Sequence, residues 1–268
     1  MSTGISIHIG LNHVDPAQYE GWDGTLGACE ADATDMRALA KAQGFAPAAF
    51  LLSGQATSAA VAQALTDAAK RLTKGDILLV TYSGHGGQVK DTNGDETDEM
   101  DETWVLFDRQ FVDDELYATW AKFAAGVRIL VLSDSCHSGS ITRDVPMFVE
   151  GGPRRRAMPR EVAVRVEKAH GKLYRDIQAA NPQGDKVKVL ASVLLISGCM
   201  DNQFSMDGDK NGAFTGTLKR VWADGKFKGN YRAFRNRIVS LMDPSQTPNY
   251  YFVGATNQAF EGQRPFTI

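Results

Sequence analysis

Cysteine is scarce in this chain. Cys29, Cys136 and Cys199 stand far apart and form no CxxC pair, which argues against a disulfide framework and against a zinc knuckle. Long apolar runs are missing too. Nothing approaches the ~20 residues of a membrane span, and no basic segment leads into an apolar stretch at the start. No membrane partner is expected, and a cytoplasmic location is. An excess of one charge is also lacking: 29 Lys and Arg stand against 32 Asp and Glu, a net charge of −3. That balance offers no electrostatic ground for a nucleic-acid partner. What is present is an ordinary globular composition, 43% hydrophobic and 23% charged over 268 residues, enough for one sizeable α/β domain.

Apolar, β-rich runs alternate with segments of helical period. Strands are expected at Ile5–Leu11, Ala49–Ser53, Asp76–Ser83 and Val127–Ser133, and helices at Cys29–Gly44, Thr57–Leu72 and Asp113–Ala124. Gly44 ends the first helix, and Thr57 or Ser58 caps the second. Strands that are apolar on both faces and separated by helices point to a parallel sheet covered on both sides. Ile141–Arg160, with three prolines and two adjacent glycines, reads as an exposed loop. A helical pattern then runs to about Ala180, followed by a strand over Lys186–Ser197. Helices at Ala213–Ala223 and Tyr231–Met242 and a short strand at YYFVG complete the chain.

The chemistry gathers beyond two strand ends. The third strand runs into YSGHGGQ (Tyr82–Gln88) and the fourth into SDSCHSGS (Ser133–Ser140). Ligands bind beyond the carboxyl ends of the strands in open parallel sheets, so His85 and Cys136 meet there if the two strands are neighbours. A thiol is mostly protonated at neutral pH and needs a base to become an effective nucleophile. His85 can take that proton and later deliver it to a leaving amine. His137 is a rival base, but it follows Cys136 directly and points to the opposite side of an extended segment. The backbone N–H groups of Gly86 and Cys136 are candidates for an oxyanion hole, and Gly139 serves tight backbone geometry after the nucleophile.

The HGGQ and DSCHSGS blocks together resemble metacaspases and their prokaryotic relatives, the orthocaspases. The likeness extends to ISIHIGLNH, GACEADATDM, VDDELY and SGCMDNQFSMDGDKNGAFTGTL, and is weakest over Ile141–Lys186. The QACRG signature of animal caspases is absent. The resemblance implies a caspase-like three-layer α/β sandwich with a mainly parallel central sheet. One domain over 1–268 is expected: a p20-like part at 1–140, a linker loop and helix at 141–185, and a p10-like part at 186–268. It implies a cysteine endopeptidase that needs no cofactor for its chemistry, acts as a monomer, and cuts proteins or peptides after Arg or Lys. Its substrate pocket would be lined by Cys29, Asp32, Ser83 and Asp134. Two carboxylates suit a guanidinium and would repel the aspartate that a true caspase takes. A catalytically idle binding module and a peptidase of another preference, such as aspartate, are the competing readings.

Two charged stretches add expectations. DTNGDETDEMDE (Asp91–Glu102) has acidic residues near EF-hand spacing. Its sixth position is Glu96 where glycine is required, and strands flank it where helices are required, so it is no EF-hand. Resemblance to calcium-activated metacaspases instead implies Ca²⁺ as an activator, held by Asp101, Asp113, Asp114 and Asp144. The basic cluster Arg154, Arg155, Arg156 and Arg160 lies downstream of the nucleophile. An enzyme that cuts after arginine would find a substrate there, by processing itself or by filling its own pocket.

Overall fold

The computed structural model describes residues 2–94, 96, 99–136, 154–200, 203 and 205–268. Its elements in chain order are β1 (Gly4–Gly10), α1 (Cys29–Ala42), β2 (Ala46–Leu52), α2 (Ser58–Arg71), β3 (Ile77–Ser83), β4 (Gly86–Lys90), β5 (Met100–Val105) and β6 (Gln110–Val112). Then come α3 (Asp113–Trp120), β7 (Arg128–Asp134), α4 (Arg160–Ala180), β8 (Ser192–Ser197), α5 (Ala213–Trp222), α6 (Tyr231–Val239), β9 (Tyr251–Gly254) and α7 (Gln258–Gly262). The main sheet has the order β2-β1-β3-β7-β8-β9. Every pairing in it is parallel except β8 with β9.

Alternate residues of each strand feed opposite faces. Ile5, Ile7, Ile9, Val80 and Val131 pack with α2, α3 and α4 in one core. Ile77, Leu79, Leu130, Leu132 and Ile196 pack with α1, α5 and α6 in the other. Helices on both faces make the covered, mainly parallel sheet that the apolar strands predicted and the three-layer sandwich that the resemblance implied. The helix ends follow expectation as well. Thr57 accepts from the Ala60 N–H at 3.2 Å, and Gly44 takes φ +90 just beyond α1. Among the described residues, no helix is long and apolar enough to cross a membrane.

Three features differ from the pattern, the first being that the loop expected to be exposed is buried at Arg156, Ala157, Met158 and Pro159. The strand expected over Lys186–Ser197 begins only at Ser192, which pairs with Arg128, the first residue of β7. Upstream of Ser192 there is no further β7 to bond, and Gly184–Lys186 form a 3₁₀ turn instead. A separate antiparallel sheet, β4-β5-β6, rises beside the main one. Only its middle strand was signalled, by the apolar TWVLF run. Gly86–Lys90 is glycine-rich, and Gln110–Val112 is three residues long.

His8 on β1 is fully buried and shares a hydrogen bond with the Thr81 hydroxyl at 2.9 Å. Burial, with help from the nearby Arg37 charge, lowers its pKa from 6.5 to about 3. The unfolded chain therefore takes up this proton before the folded one does. The contribution is intact above pH 6.5 and is lost as pH falls from there towards 3. His8→Leu should flatten the fall in melting temperature between pH 7 and pH 4 relative to the parent chain; parallel curves would overturn this assignment.

Candidate functional site

Strand register brings the two motifs together. Ser83, the last residue of β3, lies opposite Asp134, the last of β7. His85 and Cys136 each follow two residues later, so they leave adjacent strands at the same height. The turn around His85 is braced from below. The Tyr82 hydroxyl donates to the His85 carbonyl at 2.7 Å, and the Tyr82 ring stacks on Trp104. The imidazole lies under Trp22, with ring centroids 4.8 Å apart.

His85 Nε2 is 2.9 Å from the Gly24 carbonyl, which can only accept. That contact places the proton on Nε2 and leaves the Nδ1 lone pair as the base. Among the described residues, Nδ1 has no hydrogen-bond partner. Burial lowers the ring's pKa to about 4, against the opposing pull of the Gly24 carbonyl, so the imidazole is neutral at pH 7 and able to accept a proton. Cys136 is buried, and its thiol donates to the Gln203 carbonyl at 2.5 Å.

A segment of the chain itself lies across this site. The Arg156 carbonyl accepts from Gly86 N–H at 2.9 Å and from Cys136 N–H at 3.1 Å. These are the two donors expected of an oxyanion hole, at the distances such a hole requires. The Arg156 N–H donates to the Ser205 carbonyl at 2.8 Å, and the Asp207 N–H to the Arg154 carbonyl at 2.7 Å. Residues 154–156 thus lie antiparallel to 205–207, bridged through Arg155 and Met206.

The Arg156 side chain is fully buried. One guanidinium nitrogen contacts Asp134 at 3.0 Å and the Ser83 hydroxyl at 2.7 Å. The other contacts Asp32 at 2.8 Å and Asp207 at 2.9 Å. Burial works against its charge, but Asp134, Asp32 and Asp207 outweigh it and hold the guanidinium protonated. Asp32 pays for the crowding: burial, opposed by Arg156 and reinforced by Asp134, raises its pKa to about 6. Burial pushes the Cys29 thiol up to about 12, so Cys29 lines the site as a neutral group. α1 presents Cys29 and Asp32 here because Asn12 accepts from the first N–H groups of the helix, Cys29 at 2.9 Å and Glu30 at 3.2 Å.

Three of the four expected pocket residues, Asp32, Ser83 and Asp134, therefore contact one arginine. Two further wall residues went unread in the sequence. Asp207 supplies a third carboxylate, itself fixed by the Gly27 N–H at 2.7 Å. Gly212 lies so close that a Cβ there would sit 2.5 Å from the Arg156 guanidinium carbon. Both fall in the SMDGDKNG block, whose likeness to the family was the available signal. Nothing in its spacing says that it closes a pocket opened by residue 32.

The acidic stretch brings together a group of carboxylates that shares Asp113 with the expected ligand set. Glu96, Glu102 and Asp113 bring carboxylate oxygens within 4.8 Å of one another, all half-buried. Burial, then Glu102, Asp101, Asp114 and Glu96, push the Asp113 carboxyl well above its usual range. Of the expected ligands, Asp113 is in this cluster. Asp101 is buried on β5, and Asp114 accepts from the Asn93 side chain at 3.0 Å. Asp144, His137 and Gly139 lie outside the described residues.

A family model described as the caspase domain matches residues 13–260. Metacaspase-1 of Schizosaccharomyces pombe is 34% identical over 177 residues, covering 56% of this chain and 41% of its own length. Metacaspase-1 of Mycosarcoma maydis is 30% identical over 242 residues, covering 78% and 58%. The chain spans about half the length of the curated relatives it matches. The crystal structure of protein GSU0716 from Geobacter sulfurreducens is similar at a TM-score of 0.90 and 54% identity, covering 99% of this chain and 98% of that one. Caspase-1 from Spodoptera frugiperda reaches a TM-score of 0.53 at 12% identity, covering 94% and 86%. At that identity the likeness is one of fold.

Proposed function

The chain belongs to the caspase-domain family, and from this and the site geometry we propose that it is a cysteine endopeptidase cutting after arginine, and less readily after lysine. One observation carries the reading. Arg156 sits in the pocket as a substrate side chain would, while its carbonyl oxygen receives the N–H groups of Gly86 and Cys136. A guanidinium reaches Asp134 through one nitrogen and Asp32 and Asp207 through the other. An ammonium is a single point charge and meets fewer of these acceptors at once. An aspartate would enter a wall of like charge.

In the reaction, Cys136 turns from the Gln203 carbonyl and gives its proton to His85 Nδ1. The thiolate attacks the carbonyl carbon, and the oxyanion is held by the two N–H groups. As the C–N bond breaks, His85 returns the proton to the leaving amine. Water, deprotonated by the same imidazole, then hydrolyses the thioester. The Arg156–Ala157 bond is presented for the same sequence of steps, so the chain processes itself there into 1–156 and 157–268.

Calcium is the proposed activator. Glu96, Glu102 and Asp113 supply hard oxygen ligands that repel one another without a cation. A bound Ca²⁺ would relieve that repulsion and tie the acidic loop and β5 to α3, beside the sheet that begins at Gly86.

Fluorogenic peptides ending in Arg, Lys or Asp, assayed with calcium and with chelator, test the reading. The expected order is Arg over Lys, with no cleavage after Asp and higher activity in calcium. Loss of the calcium response in Glu102→Gln would locate the ion. Inertness towards all basic peptides in both conditions would favour an idle binding module instead.

A further inference from the structure

The segment in the site is held beyond the Arg156–Ala157 bond as well as before it. The Met158 N–H donates to the Gly86 carbonyl at 2.8 Å, and Ala157 is bridged to Gly86 in parallel. Gly86 thus grips the chain on both sides of the bond, through Arg156 before it and Met158 after it. The two side chains that follow the bond are buried. Ala157 is 2% exposed and packs against Cys136 and Cys199. A methyl group fills that space, and a larger side chain would meet the sulfur atoms.

Met158 is 3% exposed and belongs to the main core on the α4 face. Its methyl lies over Gly87, where a Cβ would come 3.2 Å from it. Beside it lies a groove of about 600 Å³, lined by Val89, Met100, Ala163 and Val164 and rimmed by Lys90, Glu99, Arg160 and Glu167. By contrast, Arg154, three residues before the bond, is exposed.

Resting on the reading of 154–158 as a bound substrate, we propose that this peptidase selects the two residues after the cleaved bond: a small one first, then a long apolar one. The first subsite is shaped by Cys136 and Cys199. The second is the space over Gly87, opening towards Val89 and Met100. It is vacated when 154–158 leaves the site. Burying a methionine-sized side chain corresponds to a gain of roughly tenfold to a hundredfold in kcat/KM over a residue that stays in water.

The test uses the full chain and internally quenched peptides. Each carries arginine before the cleaved bond, followed by Ala-Met, Ala-Gly, Ala-Glu or Trp-Met; an arginine coumarin amide, which has no residues after the bond, runs in parallel. Ala-Met should exceed Ala-Gly and Ala-Glu by roughly tenfold or more, and Trp-Met should be cut poorly. Equal rates for all four peptides, with the coumarin amide cleaved, would overturn the selectivity while leaving an arginine peptidase. If neither the amide nor any peptide is cut, both the selectivity and the reading beneath it fail.

Discussion

Cys136→Ala is expected to abolish hydrolysis of arginine peptides, lowering kcat/KM by at least about 10⁴-fold, and to leave the chain in one piece. The Cys136 sulfur is the group that forms the bond to carbon in the proposed reaction. The other groups near the carbonyl, Gly86 N–H and Cys136 N–H, are main-chain donors that the substitution keeps. What survives should therefore be binding without turnover. The parent protein should give two fragments on a denaturing gel, and mass spectrometry should place the new ends at Arg156 and Ala157. The alanine form should run as a single band. Equal fragmentation of both proteins would assign the cut to another peptidase.

Asp134→Asn should have the next largest effect, on recognition and stability together. Asp134 is 1% exposed. It accepts from Ser205 Oγ at 2.6 Å, from Thr215 Oγ1 at 2.7 Å and N at 3.0 Å, and from Arg156 at 3.0 Å. An amide would turn two donors towards groups that already donate, and it would remove a charge from beside a buried guanidinium. Removing one partner of a buried pair costs about 3–5 kcal/mol. Cleavage after arginine should accordingly fall about 10²–10³-fold, mainly through KM. In the Cys136→Ala background, which keeps the chain whole, the unfolding midpoint should drop. Asp32→Asn should cost less, because burial and the Asp134 charge already oppose the Asp32 carboxylate and raise its pKa to about 6. The same shift predicts that arginine recognition weakens as pH falls through 6, when Asp32 gains its proton. An unchanged KM in Asp134→Asn would remove Asp134 from the pocket.

Much of this was legible in the sequence. The apolar runs Ile5–Leu11 and Val127–Ser133 identified central strands because strands covered on both faces have no polar side to interrupt them. The glycine-flanked His85 and the DSCHSGS block lay just past such strands, where parallel sheets bind ligands. The small sheet β4-β5-β6 was harder to read. Gly86–Lys90 is held by pairing with β5, as Gly86 opposite Trp104 shows, and its own residues have little strand preference.

The pair Cys136 and His85, their strand-end positions and the chemistry of thiol and imidazole were set by local pattern, since each motif is short and contiguous. The pocket was not. Asp32, Asp134 and Asp207 meet one guanidinium from α1, the end of β7 and a loop before α5, and only folding decides which of several arginines fills the space between them. Gly212 closes on Arg156 from 56 residues away in sequence, and Gly212 N–H reaches Asp32 across 180. The acidic cluster follows the same rule: Glu96 and Glu102 approach Asp113 only in the folded chain, because side-chain direction depends on strand pairing and helix phase. Local order is written in neighbouring residues, whereas a binding wall is written in the register between elements that are distant along the chain.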